Sequence, residues 1–511
     1  MNAPVDLAPA DLVQRYVTGR QLRVLVGGEL VEAEGGATTT VLDPSTGREL
    51  AQAPSCSRGD VDRAVAAAKR AQPAWAALSL DERSAHVLAL ADAVEGAEEE
   101  LATLDAIDGG NPLPAMRRDV AAAIRQLRAW PALVRWQGGR TIPATPSDLH
   151  HTSSVPYGVV GKILPYNHPA LFVLTRVVPP LLAGNAVVVK PAWQTPLSAL
   201  RIAELAAGLL PPGVLSILTG GTEPGDALVV HPDVRRLGFI GSVPVGMRIQ
   251  QRAAEVAVKA VTLELGGKNP MVVFPDADVE ATVAGAIAGM NFGVCQGQSC
   301  GSTSRVFVHR RLYADFLDAV KARLEAMVVG CAYRDGVEMG PLVTAEHRDR
   351  VLGYVESGRA QGARLVTGGE PVTGGHADPA GYFVAPTVFA DVRQEMTIAR
   401  EEVFGPLMSV APWDDWDTVV AQANDTEFGL TASVWTNDLT LAHSTAARLE
   451  AGYVWINEAG PHYWGTPFGG MKNSGLGREE GLEEYLSHLQ TKVVHTVLGQ
   501  PAAALRRLAG A

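Results

Sequence analysis

Short, apolar, β-branched runs alternate with helical segments from about residue 155 onward, and this pattern restricts the chain most. GVVGKIL (158–164), AVVVK (186–190), VLSIL (214–218), LGFI (237–240) and VTLELGG (261–267) read as strands. Helical periodicity marks SALRIAELAAGLL (198–210), the stretch around TEPGDALVVH, and VGMRIQQRAAEVA. Strands without polar alternation need cover on both faces, which predicts a parallel sheet with right-handed helical crossovers. Ligands of such sheets bind beyond the carboxyl ends of the strands. A second block runs from about 271 to 470 through MVVF, SRVFVH, ARLVTGG, VAPTVFA, LMSVAP, SVWT and YVWIN, and predicts a second α/β unit. Ahead of both lie two helical patterns, VDRAVAAAKRAQPAWAAL and DERSAHVLALADAVEGAEEELATLDAI, the second opened by Asp81 and Glu82. TKVVHTVL (491–498) reads as a strand with nothing nearby to pair with, an edge suited to a partner chain. Residues 1–20 and 500–511 read as loosely held ends.

Composition removes several classes of function. A hydrophobic fraction of 47% against 19% charged residues excludes wholesale disorder in these 511 residues. The net charge of −12, with no strongly basic run, argues against a nucleic-acid partner. The most apolar stretch, 169–189, is broken by Arg176, Pro179, Pro180 and Asn185, so no membrane span is expected. The N-terminal residues lack the continuous apolar core of a secretory signal. Cys56, Cys295, Cys300 and Cys331 form no CxxC pair and no zinc-spaced cluster. The expectation is a cytoplasmic protein without a metal.

Taken one at a time, the motifs are weak. NFGVCQGQSCGSTSR (291–305) surrounds Cys300 with small residues that give a substrate access, and a helix starting after it would favour a thiolate. An isolated cysteine is more often a small buried hydrophobe. Glu264 ends an apolar strand, where a carboxylate is either paired or raised toward the range of a general base. PYNHP (165–169) presents the amide of Asn167, or is an ordinary turn. Lys190 closes a strand where a nucleotide would bind, or marks the exit to solvent. FIGSVPVG (239–246) is strand, glycine turn and helix, without being GxGxxG. EEVFGP (401–406) and PFGGMKNSGLGRE (467–479) are glycine-rich turns beside charges.

The ordered set PYNHP, VVVKPA, FIGSVPVG, LELGGKNP, GQSC, EEVFGP and PFGGMKNSG is much more specific than its members. Together they resemble the aldehyde dehydrogenase superfamily from about residue 25 to 498. The resemblance implies an α/β fold: a Rossmann-type dinucleotide-binding domain (1–134 and 151–265), an α/β catalytic domain (266–473) and a small β oligomerisation element (135–150 and 474–511). It implies NAD(P)-dependent oxidation of an aldehyde to a carboxylic acid, with Cys300 as nucleophile, Glu264 as general base and Asn167 as oxyanion donor. Cofactor contacts are implied at Ile163, Leu164, Pro165, Tyr166, Lys190, Trp193, Gly225, Gly241, Ser242, Val245, Gly246, Leu265, Glu402 and Phe404. A substrate pocket is implied at His168, Thr175, His462 and Phe468, which suggests a polar or aromatic aldehyde.

Many NAD-using members carry an acid three residues after the lysine; here that residue is Trp193, which admits NADP beside NAD. Cys295 stands where Asn often precedes the GQ pair, and reads as a pocket-lining residue. The expected partners are a small-molecule aldehyde and further copies of the chain, as homodimer or homotetramer. Two alternatives differ in chemistry. A CoA-acylating relative usually lacks the glutamate, and a non-catalytic relative would have lost Cys300 or Glu264.

Overall fold

The computed structural model describes residues 9–143, 145–498 and 501–510. An eight-stranded sheet forms the first unit, and five of its strands are parallel. Across the sheet these run Leu215–Ile217, Ala186–Lys190, Val159–Ile163, Val234–Ile240 and Ala260–Glu264. Val159–Ile163 comes first in the chain but lies in the middle, so the winding reverses between it and Val234–Ile240. A reversal of this kind opens a crevice at the carboxyl ends of both strands. The first three of these strands fall within predicted runs, and Ala260–Glu264 starts one residue early. Val234–Ile240 starts three residues early, because Val234 and Arg236 continue the pairing with Val159 and Val160.

The second unit is a seven-stranded sheet: Arg364–Thr367, Thr387–Ala390, Leu407–Trp413, Arg305–His309, Pro270–Val273, Thr431–Trp435 and Tyr453–Ile456. All its pairings are parallel except the first. Its inner strands are apolar and almost fully buried, as the unbroken runs require. Cys300 sits in the turn that leads into Arg305–His309. The turn that carries Cys300 in the second unit and Glu264 at the carboxyl end of the first line the same cavity.

Five expectations change. The long pattern at 81–107 splits at Gly96 and Ala97 into helices Leu80–Glu95 and Glu98–Gly109; Ser79 caps the first through a reciprocal box with Glu82. Residues 9–20 are not a loose end. Pro9–Tyr16 is helical, and Leu12 and Val17 are buried in the core. Residues 1–8, 144, 499–500 and 511 lie outside the described residues.

The predicted edge strand does have a partner in its own chain. Leu489–Val497 pairs antiparallel along its whole length with Asp148–Pro156, from Leu489 opposite Pro156 to Val497 opposite Asp148. DLHHTSSVP has no apolar alternation, since both its faces are part-exposed, and so it carries no strand signal. The boundary between residues 150 and 151 consequently falls inside one strand. Gly475–Leu476, placed with the small element above, pairs instead with Leu263 and Glu264 of the first sheet. The outer edge of Leu489–Val497 pairs with no other strand among the described residues. Among those residues no helix is long and apolar enough to cross a membrane.

Candidate active site

A cavity of about 650 Å³ opens at the winding reversal. Its walls include Ile163, Leu164, Pro165, Tyr166 and Asn167 after the first parallel strand, Lys190 and Trp193 after the second, and Gly241, Ser242 and Val245 after the fourth. Gly225, Glu264, Cys300, Glu402 and Phe404 complete the set of predicted residues on its surface. Gly246 and Leu265 lie beneath the wall: a Cβ on Gly246 would fall 2.7 Å from the Leu265 side chain. His168, Thr175, His462 and Phe468 do not line this cavity.

The turn carrying Cys300 is tied down by Asn269, which sequence reading passed over. Its Nδ2 donates to the carbonyls of Cys300 and Ser302, both at 2.8 Å, and its Oδ1 accepts the Thr431 N–H at 3.0 Å. A Cβ at Gly267 would sit 2.4 Å from the Cys300 carbonyl oxygen, so this approach requires glycine. The backbone after Cys300 turns and enters a strand, so no helix that could favour a thiolate begins there. No helix dipole lowers the thiol. Burial, then Glu402 and Glu264, push it well above the usual cysteine range. These surroundings favour the neutral thiol over the thiolate.

Glu264 is 3% exposed, and neither carboxylate oxygen has a hydrogen-bond partner among the described residues. Burial, followed by the charge of Glu479, raises its carboxyl well above the ordinary range; Arg176 opposes this. A carboxyl in such surroundings keeps its proton to higher pH than an ordinary glutamate. Behind it, Arg176 forms ion pairs with Glu479 at 2.8 Å, Glu480 at 3.3 Å and Glu484 at 3.2 Å. Asn167 is buried, with no partner for its side-chain oxygen among the described residues, while its backbone carbonyl is held by Asn111 Nδ2 at 2.8 Å. The carboxamide is positioned by its backbone and unengaged at its tip.

The cavity also carries donors suited to a dinucleotide. Helix Val243–Ala254 begins at Ser242 with no side-chain cap, so its first amides face the cavity free, as an anion site requires. Lys190 Nζ donates to the carbonyls of Pro191 at 2.7 Å and Gly220 at 3.0 Å, which leaves one of its three protons unused. Burial lowers this ammonium to about 8. Glu402 Oε1 accepts the Gly267 N–H at 3.0 Å, and burial raises its carboxyl to about 7. Phe404 adopts a left-handed backbone (φ 54°), stabilised by His347 Nε2 at 2.7 Å from its carbonyl oxygen. Its ring meets Tyr166 edge-on at 5.9 Å.

Thr222, Asp226, Arg248, Arg252, His347 and Arg350 also line the cavity. Sequence reading missed them because they stand on helix surfaces, or on the 345–360 helix of the other unit, with no local motif.

The sequence profile of the Aldehyde dehydrogenase family matches residues 30–494. The chain belongs to the aldehyde dehydrogenase family. It is 41% identical over 475 residues to aldehyde dehydrogenase tropH of Talaromyces stipitatus, covering 90% of each chain. It is 41% identical to a betaine aldehyde dehydrogenase of Rhizobium etli, covering 94% of this chain and 98% of that one. Among solved structures, the NAD+ complex of a Bacillus cereus aldehyde dehydrogenase superposes with a TM-score of 0.92 at 38% identity, over 97% of this chain and 100% of that one. As an aldehyde dehydrogenase, the chain is an oxidoreductase acting on aldehydes.

Proposed function

We propose that the chain oxidises an aldehyde to the carboxylic acid through a covalent adduct on Cys300, with Glu264 as general base and Asn167 as oxyanion donor. The observation that supports this most is the meeting of Cys300, Glu264 and Asn167 on the wall of the cavity that also holds Lys190, Ser242 and Glu402. Since the neutral thiol is favoured, its proton must leave before attack. Glu264 has two unengaged oxygens to receive it. The sulfur then bonds to the carbonyl carbon, and charge builds on the carbonyl oxygen. The Asn167 amide and the Cys300 backbone N–H, which donates to no acceptor among the described residues, stabilise that charge.

NAD or NADP, when bound, supplies the acceptor for the two electrons that raise the carbon to the acid oxidation level. Ser242 and the first amides of its helix would face the pyrophosphate, Lys190 the adenosine ribose, and Glu402, with its free second oxygen, the nicotinamide ribose. At the adenosine end the cavity presents Trp193, Arg248 with no ion pair among the described residues, and Asp226 already paired to Arg252 at 2.9 Å. No free carboxylate among those residues repels a 2′-phosphate, so NADP is admitted beside NAD. Glu264 releases the thiol proton to solvent and then takes one from the water that hydrolyses the thioester on Cys300; the carboxylic acid leaves and the thiol is regenerated. A cytoplasmic homodimer or homotetramer, joined at the open edge of Leu489–Val497, completes the reading.

The test is single-turnover mixing of the enzyme with an aldehyde panel and NAD or NADP, followed by acid quench and mass analysis of the peptide that contains Cys300. An acyl adduct on Cys300 that decays with release of acid is expected. Turnover without any adduct would remove the covalent route, and acyl transfer to added CoA in preference to water would replace hydrolysis.

A further inference from the structure

The backbone that carries Asn167 is fixed from behind the cavity wall. A helical hairpin, Glu98–Gly109 and Leu113–Val134, contributes no residue to that wall among the described residues. Yet three contacts run from it to residues 167–170. Asn111, in the turn between the two helices, donates from Nδ2 to the Asn167 carbonyl at 2.8 Å, the one hydrogen bond that this carbonyl accepts among the described residues. Asp119 Oδ2 lies 2.6 Å from His168 Nδ1. Asp105 Oδ2 accepts the Ala170 N–H at 3.0 Å. This last contact stands in for a cap: helix Pro169–Leu182 starts at His168, whose side chain bonds none of the first amides, and Pro169 has no N–H to satisfy. Asn111 and Asn167 are 1% and 4% exposed, so loss of the Asn111 donor would leave the Asn167 carbonyl unpaired away from water.

The hairpin turn is itself locked to the second unit. Gly110 has a left-handed backbone (φ 74°), and a Cβ on it would stand 2.8 Å from the Pro341 ring. The Leu113 N–H donates to the Ala332 carbonyl at 2.9 Å. Two residues past Pro341, the Val343 N–H donates to Gln298 Oε1 at 3.1 Å, and Gln298 Nε2 donates to the Cys295 carbonyl at 3.1 Å, just ahead of Cys300. A line of direct contacts thus joins Asn167 to the segment of the nucleophile without crossing the cavity. We propose that Asn111 is a positioning residue for aldehyde oxidation, which sets where the Asn167 carboxamide stands relative to Cys300. This rests on the catalytic reading above, in which that carboxamide holds the oxyanion. Such a donor works only at hydrogen-bond distance from the oxygen as it becomes charged.

The test is a double-mutant cycle on the acylation rate, read by stopped flow as reduced cofactor formed in the first turnover, with thermal unfolding and cofactor titration alongside. Asn111→Ala and Asn111→Asp are expected to slow acylation by about 10- to 100-fold, the cost of a misplacement of about 1 Å. Cofactor affinity and adduct hydrolysis should stay within about twofold of the wild type. In an Asn167→Ala background the same substitutions should cost less than about twofold, because the group they displace is gone. Asn111→Asp removes the donor at nearly constant volume, and so reads the contact even where Asn111→Ala does not fold. Acylation at the wild-type rate in folded Asn111→Asp, or losses that multiply in the double variant, overturns the proposal. Wild-type acylation in Asn167→Ala would overturn the oxyanion reading and this inference with it. Slow acylation in Asn167→Ala beside normal acylation in both Asn111 variants would overturn this inference alone.

Discussion

The cavity and the side-chain network outside it are built differently. Toward the cavity, the wall is made from strand ends and glycine turns, with backbone amides and a few side chains left free. Away from it, His168, Phe172, Arg176, Glu480, His462 and Phe468 are locked to one another by ion pairs and ring contacts. Main-chain donors at a helix start recognise a phosphate whatever side chains surround them. Side-chain networks carry the particular chemistry of one chain. Backbone donors of this kind can serve any chain of one fold, whereas a side-chain network belongs to the residues of one chain.

The sharpest way to break this division is at the sulfur on the cavity wall. Cys300→Ser should lower turnover by about 10⁴-fold or more, as loss of a nucleophile does, while fluorescence titration shows cofactor binding within about twofold of the wild type. Loss of cofactor affinity in step with turnover would mean that nucleophile and cofactor site are not separable.

Next in size is Glu264→Gln. Steady-state rate should fall by about 10²- to 10⁴-fold, the range for a general base, with an initial burst of reduced cofactor that then stalls. In the wild type the raised carboxyl keeps its proton to higher pH than an ordinary glutamate. The base form appears only as pH rises through that raised value, so deacylation should climb with pH above the ordinary carboxylate range. A rate already level at about pH 5 would place Glu264 among unperturbed carboxylates.

Asn167→Ala should cost about 10²- to 10³-fold in the acylation rate, measured by stopped flow, with adduct hydrolysis still following. The smallest effect belongs to the cavity rim. Trp193→Glu should shift the ratio of kcat/KM for NAD over NADP by about tenfold toward NAD, since a carboxylate beside the ribose repels the 2′-phosphate. An unmoved ratio would show that residue 193 does not face the ribose.

Much of the fold was legible because its parallel strands are buried on both faces and so read as unbroken apolar runs, such as AVVVK and MVVF. Asp148–Pro156 escaped because a part-exposed strand with histidines and serines has no such signature. Ser79 and Glu82 set a helix start that local chemistry alone predicts. On the site, Cys300, Glu264 and Lys190 lie in short motifs with recognisable order. Their meeting in one cavity depends on two sheets touching, and Asn269, His347 and Arg350 have meaning only after that meeting. The residues of the side-chain network were nameable one by one, but their linkage through Phe172, Arg176 and Glu480 was not, since it joins positions about three hundred residues apart.

The pairing of Leu489–Val497 with Asp148–Pro156 also bears on how the polypeptide is born. A ribosome must reach residue 489 before that ladder can begin to close, and residue 475 before Gly475–Leu476 can zip onto the strand ending at Glu264. Nascent chains thus carry an uncovered ribbon and an unpaired strand end while the intervening residues are made, and contacts so distant in sequence form slowly. A product that stops short of residue 489 would leave Asp148–Pro156 without its ladder, so premature termination should yield aggregates and not a partly active enzyme.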